Sequence, residues 1–304
     1  MAERLLTVSH PAELRESCQK ARQNGQGVGF VPTMGALHDG HLALVREARK
    51  HAPFVVASVF VNPTQFGPNE DFSRYPRDLE GDRQKLASAG ANLLFAPDAA
   101  AMYPEGDQTR VYVGELGASL DGAFRPGHFE GVATVVTKLF SLVGASHAVF
   151  GKKDYQQLQV LRRVAKDLFL PIEIIGHPIV REHDGVAMSS RNAYLSKDDR
   201  EKARALSRGL SAAWHLHAKG ERHADTLRNA AFAEVSRVTT AIDYVSVVDA
   251  DSLSPILEHV PSDRNGRALV AIACRIGSTR LIDNVVLGED PDPRASMDAG
   301  AQAG

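Results

Sequence analysis

His38-Asp39-Gly40-His41 sets two imidazoles three residues apart, flanking an acidic residue and a glycine. On a first helical turn this spacing turns both rings toward one side, and the glycine lets a ligand approach the backbone closely. The flanking sequence predicts that helical turn. Val28, Phe30 and Val31 form a short strand-like run before it, and Leu42, Val45, Ala48 and Ala52 recur at helical spacing after it. A helix start carries unpaired N–H groups and partial positive charge, so a phosphate placed there is stabilised before any side chain contributes. A zinc-ligand pair and ordinary surface histidines are the competing readings. Zinc is disfavoured, because the two cysteines, Cys18 and Cys274, form no CxxC and no HExxH occurs.

Two further segments offer cations. Gly151-Lys152-Lys153-Asp154 joins a predicted strand to a predicted helix, at the carboxyl end of the strand, where open α/β sheets bind ligands. A solvated turn is the plainer reading of those lysines. Met188-Ser189-Ser190-Arg191 supplies two hydroxyls and a planar guanidinium suited to phosphate oxygens, although hydroxyl-rich loops are common.

The elements that must position these groups follow from periodicity. Gly27 to Thr33, Phe54 to Val61, Asn92 to Ala96, Ala148 to Gly151 and Ile172 to Gly176 read as strands, with helical patterns between them. That alternation predicts a parallel sheet. Gly127 to Leu142 and Asp154 to Leu168 are two of the helices, Asp154 being a candidate N-cap. Beyond the polar turn at Arg181 to Gly185 come two long helical patterns, Lys197 to Ala218 and Ala224 to Thr239. Alternating segments follow at Tyr244 to Val248, Ala268 to Arg275 and Arg280 to Ile282, which predict a small antiparallel sheet. The fold class expected is α/β: a Rossmann-like parallel-sheet N-terminal domain over residues 1–180 and a smaller α+β C-terminal lid domain over 181–288. Residues 289–304, rich in acidic and small residues, are expected to be a disordered tail.

At 304 residues the chain can bury a large core, and 35 basic against 37 acidic residues leave a formal charge of −2. Near-neutrality argues against a nucleic-acid partner. The longest strongly apolar run, Phe54 to Val61, is too short for a membrane span, and Met1 to Leu6 lacks a signal-peptide core. Two cysteines give no disulfide framework, so a reducing, cytoplasmic location is expected.

The histidine motif resembles the HxGH signature of nucleotidyltransferases, a superfamily sharing a Rossmann-like fold with class I aminoacyl-tRNA synthetases. Four later segments narrow the resemblance: Ser58 to Phe66, Arg125 to Val132, Phe150 to Leu158 and Met188 to Asn192. In this order they resemble the pantothenate synthetase (pantoate–β-alanine ligase) family, from about Thr7 to Leu287. The resemblance implies condensation of D-pantoate and β-alanine through a pantoyl adenylate, with release of AMP and pyrophosphate, Mg²⁺ accompanying ATP, and a homodimer. Such chemistry needs alignment and charge-offsetting donors and no protein nucleophile. The implied catalytic residues are His38, His41, Lys153, Ser189, Ser190 and Arg191. ATP binding is implied for Met34, Gly35, Ala36, Leu37, His38, Asp39, Gly40 and His41, for Gly151, Lys152, Lys153 and Asp154, and for Val180 and Met188 to Arg191. Gln65 and Gln157 match pantoate-contacting positions, Asn62 and His128 sit in matching substrate motifs, and Asp82 is an implied metal contact. Met34, Phe60 and Val132 are expected as pocket walls. The family's turn usually reads Gly-Glu-Lys-Asp, so Lys152 departs from it and puts extra positive charge beside ATP. Three other readings compete: a nucleotidyltransferase acting on a phosphorylated acceptor, a non-catalytic RNA-binding relative of the synthetases, and a nucleotide-binding regulator without activity.

Overall fold

The structure is a computed structural model and describes residues 5–68, 70–261 and 267–295. Two compact units emerge. One comprises the chain up to Lys152 together with Gln156–His177, and the other comprises Lys153–Tyr155 with the chain from Pro178 onward.

In the first unit the order is β1 (Leu6–Val8), α1 (Pro11–Gln23), β2 (Val28–Thr33), α2 (Asp39–His51), β3 (Phe54–Val59), a 3₁₀ turn (Pro63–Gln65), α3 (Leu79–Ala89) and β4 (Leu93–Phe95). Short helices α4 (Ala99–Met102), α5 (Gly114–Ala118) and α6 (Asp121–Phe124) lead into α7 (His128–Val143), β5 (Ser146–Gly151), α8 (Tyr155–Asp167) and β6 (Ile172–His177). The six strands form one parallel sheet in the order β1-β4-β3-β2-β5-β6. Its strands are apolar on both faces because both are covered. Phe30, Val56, Leu93, Phe95, Ala148 and Phe150 pack with α1, α7 and α8, while Val31, Val55, Ala57, Leu94 and Val149 pack with α2 and α3. β1 was not legible as a strand: three residues show no periodicity, and only pairing with β4 defines it.

The second unit holds α9 (Lys197–Ala218), α10 (Ala224–Val235) and the antiparallel sheet β7 (Ala241–Asp249), β8 (Ala268–Ile276) and β9 (Thr279–Leu287). Leu206, Leu210, Leu227, Ala231, Val270, Ile272 and Val285 share its core. A Cβ on Gly209 would come within 2.7 Å of the Ala231 carbonyl, so glycine there permits the close approach of α9 to α10. α10 ends at Val235, four residues earlier than its pattern suggested, and β9 runs five residues past the predicted Ile282. The expectation of a structureless tail from Glu289 is corrected over its first part. Trp214 Nε1 donates to the Asp290 carbonyl (3.0 Å), Asp290 accepts from the Val286 amide (2.9 Å), and Asp292 lies 3.0 Å from His215 Nε2. Polar composition suggested disorder, yet these side chains are fixed by partners on α9 and β9. Residues 296–304 lie outside the described residues.

Candidate active site

The residues singled out from the sequence fall into two sets, one on each unit. In the first, β2 and β5 are neighbours, and the strands that follow each in sequence lie on opposite sides of this pair. Such a switch point opens a crevice at the carboxyl ends of the strands. The segment 34–41 leaves β2 there, and Gly151 and Lys152 end β5 and begin the turn beyond it.

His38 is the N-cap of α2, and its ring stacks obliquely on that of His41, with centroids 4.0 Å apart. The His38 amide donates to His41 Nδ1 at 3.3 Å. Nδ1 of His41 therefore accepts, and a neutral ring carries its proton on Nε2. Asp39 is exposed in the first turn of α2.

Before the histidines the chain is strained. Gly35 (φ +83°) and Ala36 (φ +51°) are both left-handed, and the Ala36 and Leu37 amides donate to Asp82 on α3, at 2.9 and 2.7 Å. Those two amides are taken by the chain's own carboxylate, and Asp82, 1% exposed, accepts one of them on each oxygen. Among the described residues no group of three or more His, Cys, Asp or Glu side chains is arranged to hold a metal ion.

Beside this turn lies a polar cluster. Gln65 Nε2 donates to the Met34 sulfur at 3.2 Å, and Gln65 Oε1 accepts from Asn62 Nδ2 at 3.1 Å. A thioether is a weak acceptor, so a substrate oxygen would displace it readily. Asn62 is spent internally: Nδ2 also donates to the Gly131 carbonyl, and Oδ1 accepts from Tyr103 and Thr64 hydroxyls. A Cβ on Gly131 would sit 2.5 Å from the Thr64 carbonyl, so α7 approaches the Pro63–Gln65 turn only because this residue is glycine.

His128 Nδ1 lies 2.9 Å from the Gln65 carbonyl, and Nε2 lies 2.9 Å from Arg125 Nη1. Arg125 donates from Nε and Nη2 to Glu70, at 2.6 and 2.7 Å. Burial, reinforced by the Arg125 charge, lowers the His128 pKa to about 4, so the ring is neutral. Arginine only donates, which makes Nε2 the acceptor and Nδ1–H the donor to Gln65. Burial raises the Glu70 carboxyl, but bonding and charge from Arg125 outweigh it and hold the group at about 2. Asn62 Nδ2 and His128 Nδ1 thus both bond Gln65, while Asn62 Oδ1 accepts from Tyr103 and Thr64 and His128 Nε2 meets Arg125. Phe60 and Val132, expected as walls, belong to the core packed by α7. Gln157 is half-buried on α8, and among the described residues no hydrogen bond joins it to the Asn62–Gln65 cluster.

The second set lies on the other unit. Lys153, 19% exposed, has its ammonium 3.7 Å from Asp154, and its carbonyl accepts from Asn284 Nδ2 at 2.8 Å. The Met188 amide donates to the Val180 carbonyl (3.0 Å), closing a hairpin-like turn. Ser189 then caps a 3₁₀ helix (Ser190–Tyr194), its hydroxyl accepting from the Arg191 amide. Charged side chains hold this turn. Arg181 is bidentate to buried Asp283 (2.7 and 3.0 Å), Arg200 pairs with both Glu182 and Asp184, and Asn192 donates to Glu182. Sequence reasoning missed Glu70, Arg125, Arg200 and Asp283. Arg125 stood inside a recognised motif, but its carboxylate partner is 55 residues away and carries no local signal.

Sheet order, switch point and helix start together define a Rossmann-like ligand-binding α/β protein. The sequence profile of the pantoate–β-alanine ligase family matches residues 6–286. The chain belongs to that family and is an enzyme of the ligase class. It is 51% identical over 280 residues to pantothenate synthetase of Geobacter sulfurreducens, covering 92% of this chain and 97% of that one. A Moorella thermoacetica pantothenate synthetase is 53% identical, with 91% and 96% covered. Among solved structures, pantothenate synthetase from Thermus thermophilus superposes with a TM-score of 0.85 at 51% identity, covering 92% of this chain and 99% of that one. The Francisella tularensis pantoate–β-alanine ligase, complexed with β-γ ATP and β-alanine, gives 0.72 at 32% identity, with 93% and 97% covered.

Proposed function

We propose that the protein joins D-pantoate to β-alanine at the expense of ATP, through a pantoyl adenylate, releasing pyrophosphate and then AMP. The observation that carries this reading is the α2 start at the β2/β5 switch point, with paired imidazoles next to an uncharged amide cluster around Gln65. Pantoate has one carboxylate and two hydroxyls, and Gln65 can both donate and accept without adding charge. A phosphorylated acceptor would call for cations in that cluster, yet the cation beside it, Arg125, is already paired with Glu70.

In the first step the pantoate carboxylate would attack the α-phosphorus of ATP, and the bond to the pyrophosphate oxygen would break. His41 Nε2–H, the α2 amides, Lys153 and Arg191 are the donors assigned to the charge that develops on the leaving group. In the second step the β-alanine amine attacks the acyl carbon and displaces AMP. Mg²⁺ would arrive on the nucleotide's own phosphates and waters, because the described residues provide no carboxylate cage. A cytoplasmic location is supported by two free, buried thiols, Cys18 and Cys274. A homodimer is supported by the resemblance alone. Among the described residues no helix is long and apolar enough to cross a membrane.

Incubation with ATP, Mg²⁺, D-pantoate and β-alanine should give pantothenate, AMP and pyrophosphate. Labelled pyrophosphate should exchange into ATP when pantoate is present and β-alanine is absent. Exchange that required β-alanine would remove the separate adenylate step, and a nucleotide-bearing final product would favour a transferase.

A further inference from the structure

We propose that Asp82 is a positioning residue for the nucleotide site, holding the Gly35-Ala36-Leu37 turn in the strained shape that delivers His38 and His41 to their ligand. The proposal rests on the reading of α2 as the ATP-binding helix start.

Consecutive amides following a left-handed turn form a concave nest that ordinarily captures an anion from solution. Here the anion is supplied by the chain itself. One Asp82 oxygen accepts from Ala36 and the other from Leu37, and the carboxylate is 1% exposed. Ala36 is a non-glycine residue at φ +51°, a conformation that its β-carbon disfavours. Gly35 has no alternative: its φ is +83°, and an added Cβ would lie 2.9 Å from both Asp82 Oδ2 and Val59 Cγ1. Lys85, one turn further along α3, donates to the Leu37 carbonyl at 2.7 Å, so the same helix face holds the turn through its carbonyl as well. The Gly35 amide in turn donates to Thr33 Oγ1 at the end of β2. The turn is thus fixed at both ends, and the His38 main chain, one residue beyond Leu37, inherits its position.

Asp82→Asn tests this. An asparagine can present only one oxygen, so its amide N–H₂ would confront one of the two backbone N–H groups. Pantoate-dependent pyrophosphate exchange should fall about 10²-fold, the size expected when donors move by roughly an ångström. ATP binding, followed by calorimetry without pantoate, should weaken while the melting temperature stays within a few degrees. Adding Ala36→Gly to Asp82→Asn should recover roughly tenfold of the loss, because glycine accepts the left-handed conformation unaided. Excess Mg²⁺ should recover nothing. Recovery by Mg²⁺ would make Asp82 a metal ligand and overturn the proposal, as would unchanged exchange and unchanged ATP binding. If Asp82→Asn does not fold, Lys85→Met replaces it, with an expected loss of several-fold in exchange; no loss there would also overturn the proposal. ATP binding keeps the two readings separable. A wild-type protein that binds ATP but shows no pantoate-dependent exchange would sink the proposed reaction, while weakened ATP binding in Asp82→Asn would still support the positioning role.

Discussion

The segments carrying the candidate phosphate-side groups are held by opposite means. Residues 34–41 of the first unit are fixed through the main chain, by amides donated to a buried carboxylate and a glycine with no room for a side chain. Residues 180–191 of the second unit are fixed mainly by long charged side chains, Arg181 on Asp283 and Arg200 on Glu182 and Asp184. A main-chain hold has one geometry and ignores salt. A side-chain hold built partly from half-exposed pairs tolerates small displacement at little energetic cost. The difference matches what each segment offers: short imidazoles must be placed by their backbone, whereas an arginine reaches its partner through a flexible stem.

The largest effect should come from the buried pair in the side-chain hold. Arg181→Met leaves Asp283, only 2% exposed, without its cation, and breaking such a pair costs about 3–5 kcal/mol. Denaturant unfolding measures it, and a loss below about 1 kcal/mol would mean that the pair does not hold this segment. Next in size are His41→Ala and Lys153→Ala, each expected to slow adenylate formation about 10²- to 10³-fold with melting preserved. Single-turnover kinetics decide it, and a near-normal rate removes that residue from the donors. Gln65→Leu should weaken pantoate by about 1.5–3 kcal/mol and leave ATP affinity unchanged. Equal loss of both ligands would make Gln65 purely structural.

The acid response of the neutral His128 tests the same first-unit segment. An unfolded histidine takes up a proton near its ordinary 6.5, but the folded one does so only at about 4. The unfolded state therefore binds more protons between these values, and stability should fall as pH drops through that window. His128→Asn, which keeps a donor toward the Gln65 carbonyl, should flatten the slope. An unchanged slope would mean that the ring is not the group responsible.

Local pattern made the histidine pair readable, because a strand, a small-residue turn and a helix start are contiguous in sequence. The helical patterns between the apolar runs of β2, β3 and β5 likewise announced a parallel sheet. What resisted reading was pairing at a distance. Asp82 was singled out only as an implied metal contact, and nothing near it in sequence indicates amides 45 and 46 residues earlier. Glu70 and Arg125 were opaque for the same reason. Asn62 and His128 were found by motif alone, and a motif identifies a residue without saying which of its hydrogen bonds are already used.

Lys153–Tyr155 belongs with the second unit although its neighbours on either side in sequence belong to the first. For anyone recombining relatives of this enzyme, the interchangeable cassette is consequently discontinuous. A crossover at His177 would graft one parent's Asn284 onto a protein whose Lys153 carbonyl came from another. A chimaera designed around the fold would carry the tripeptide along with the C-terminal segment, inserting three residues from one parent into a stretch otherwise drawn from the other.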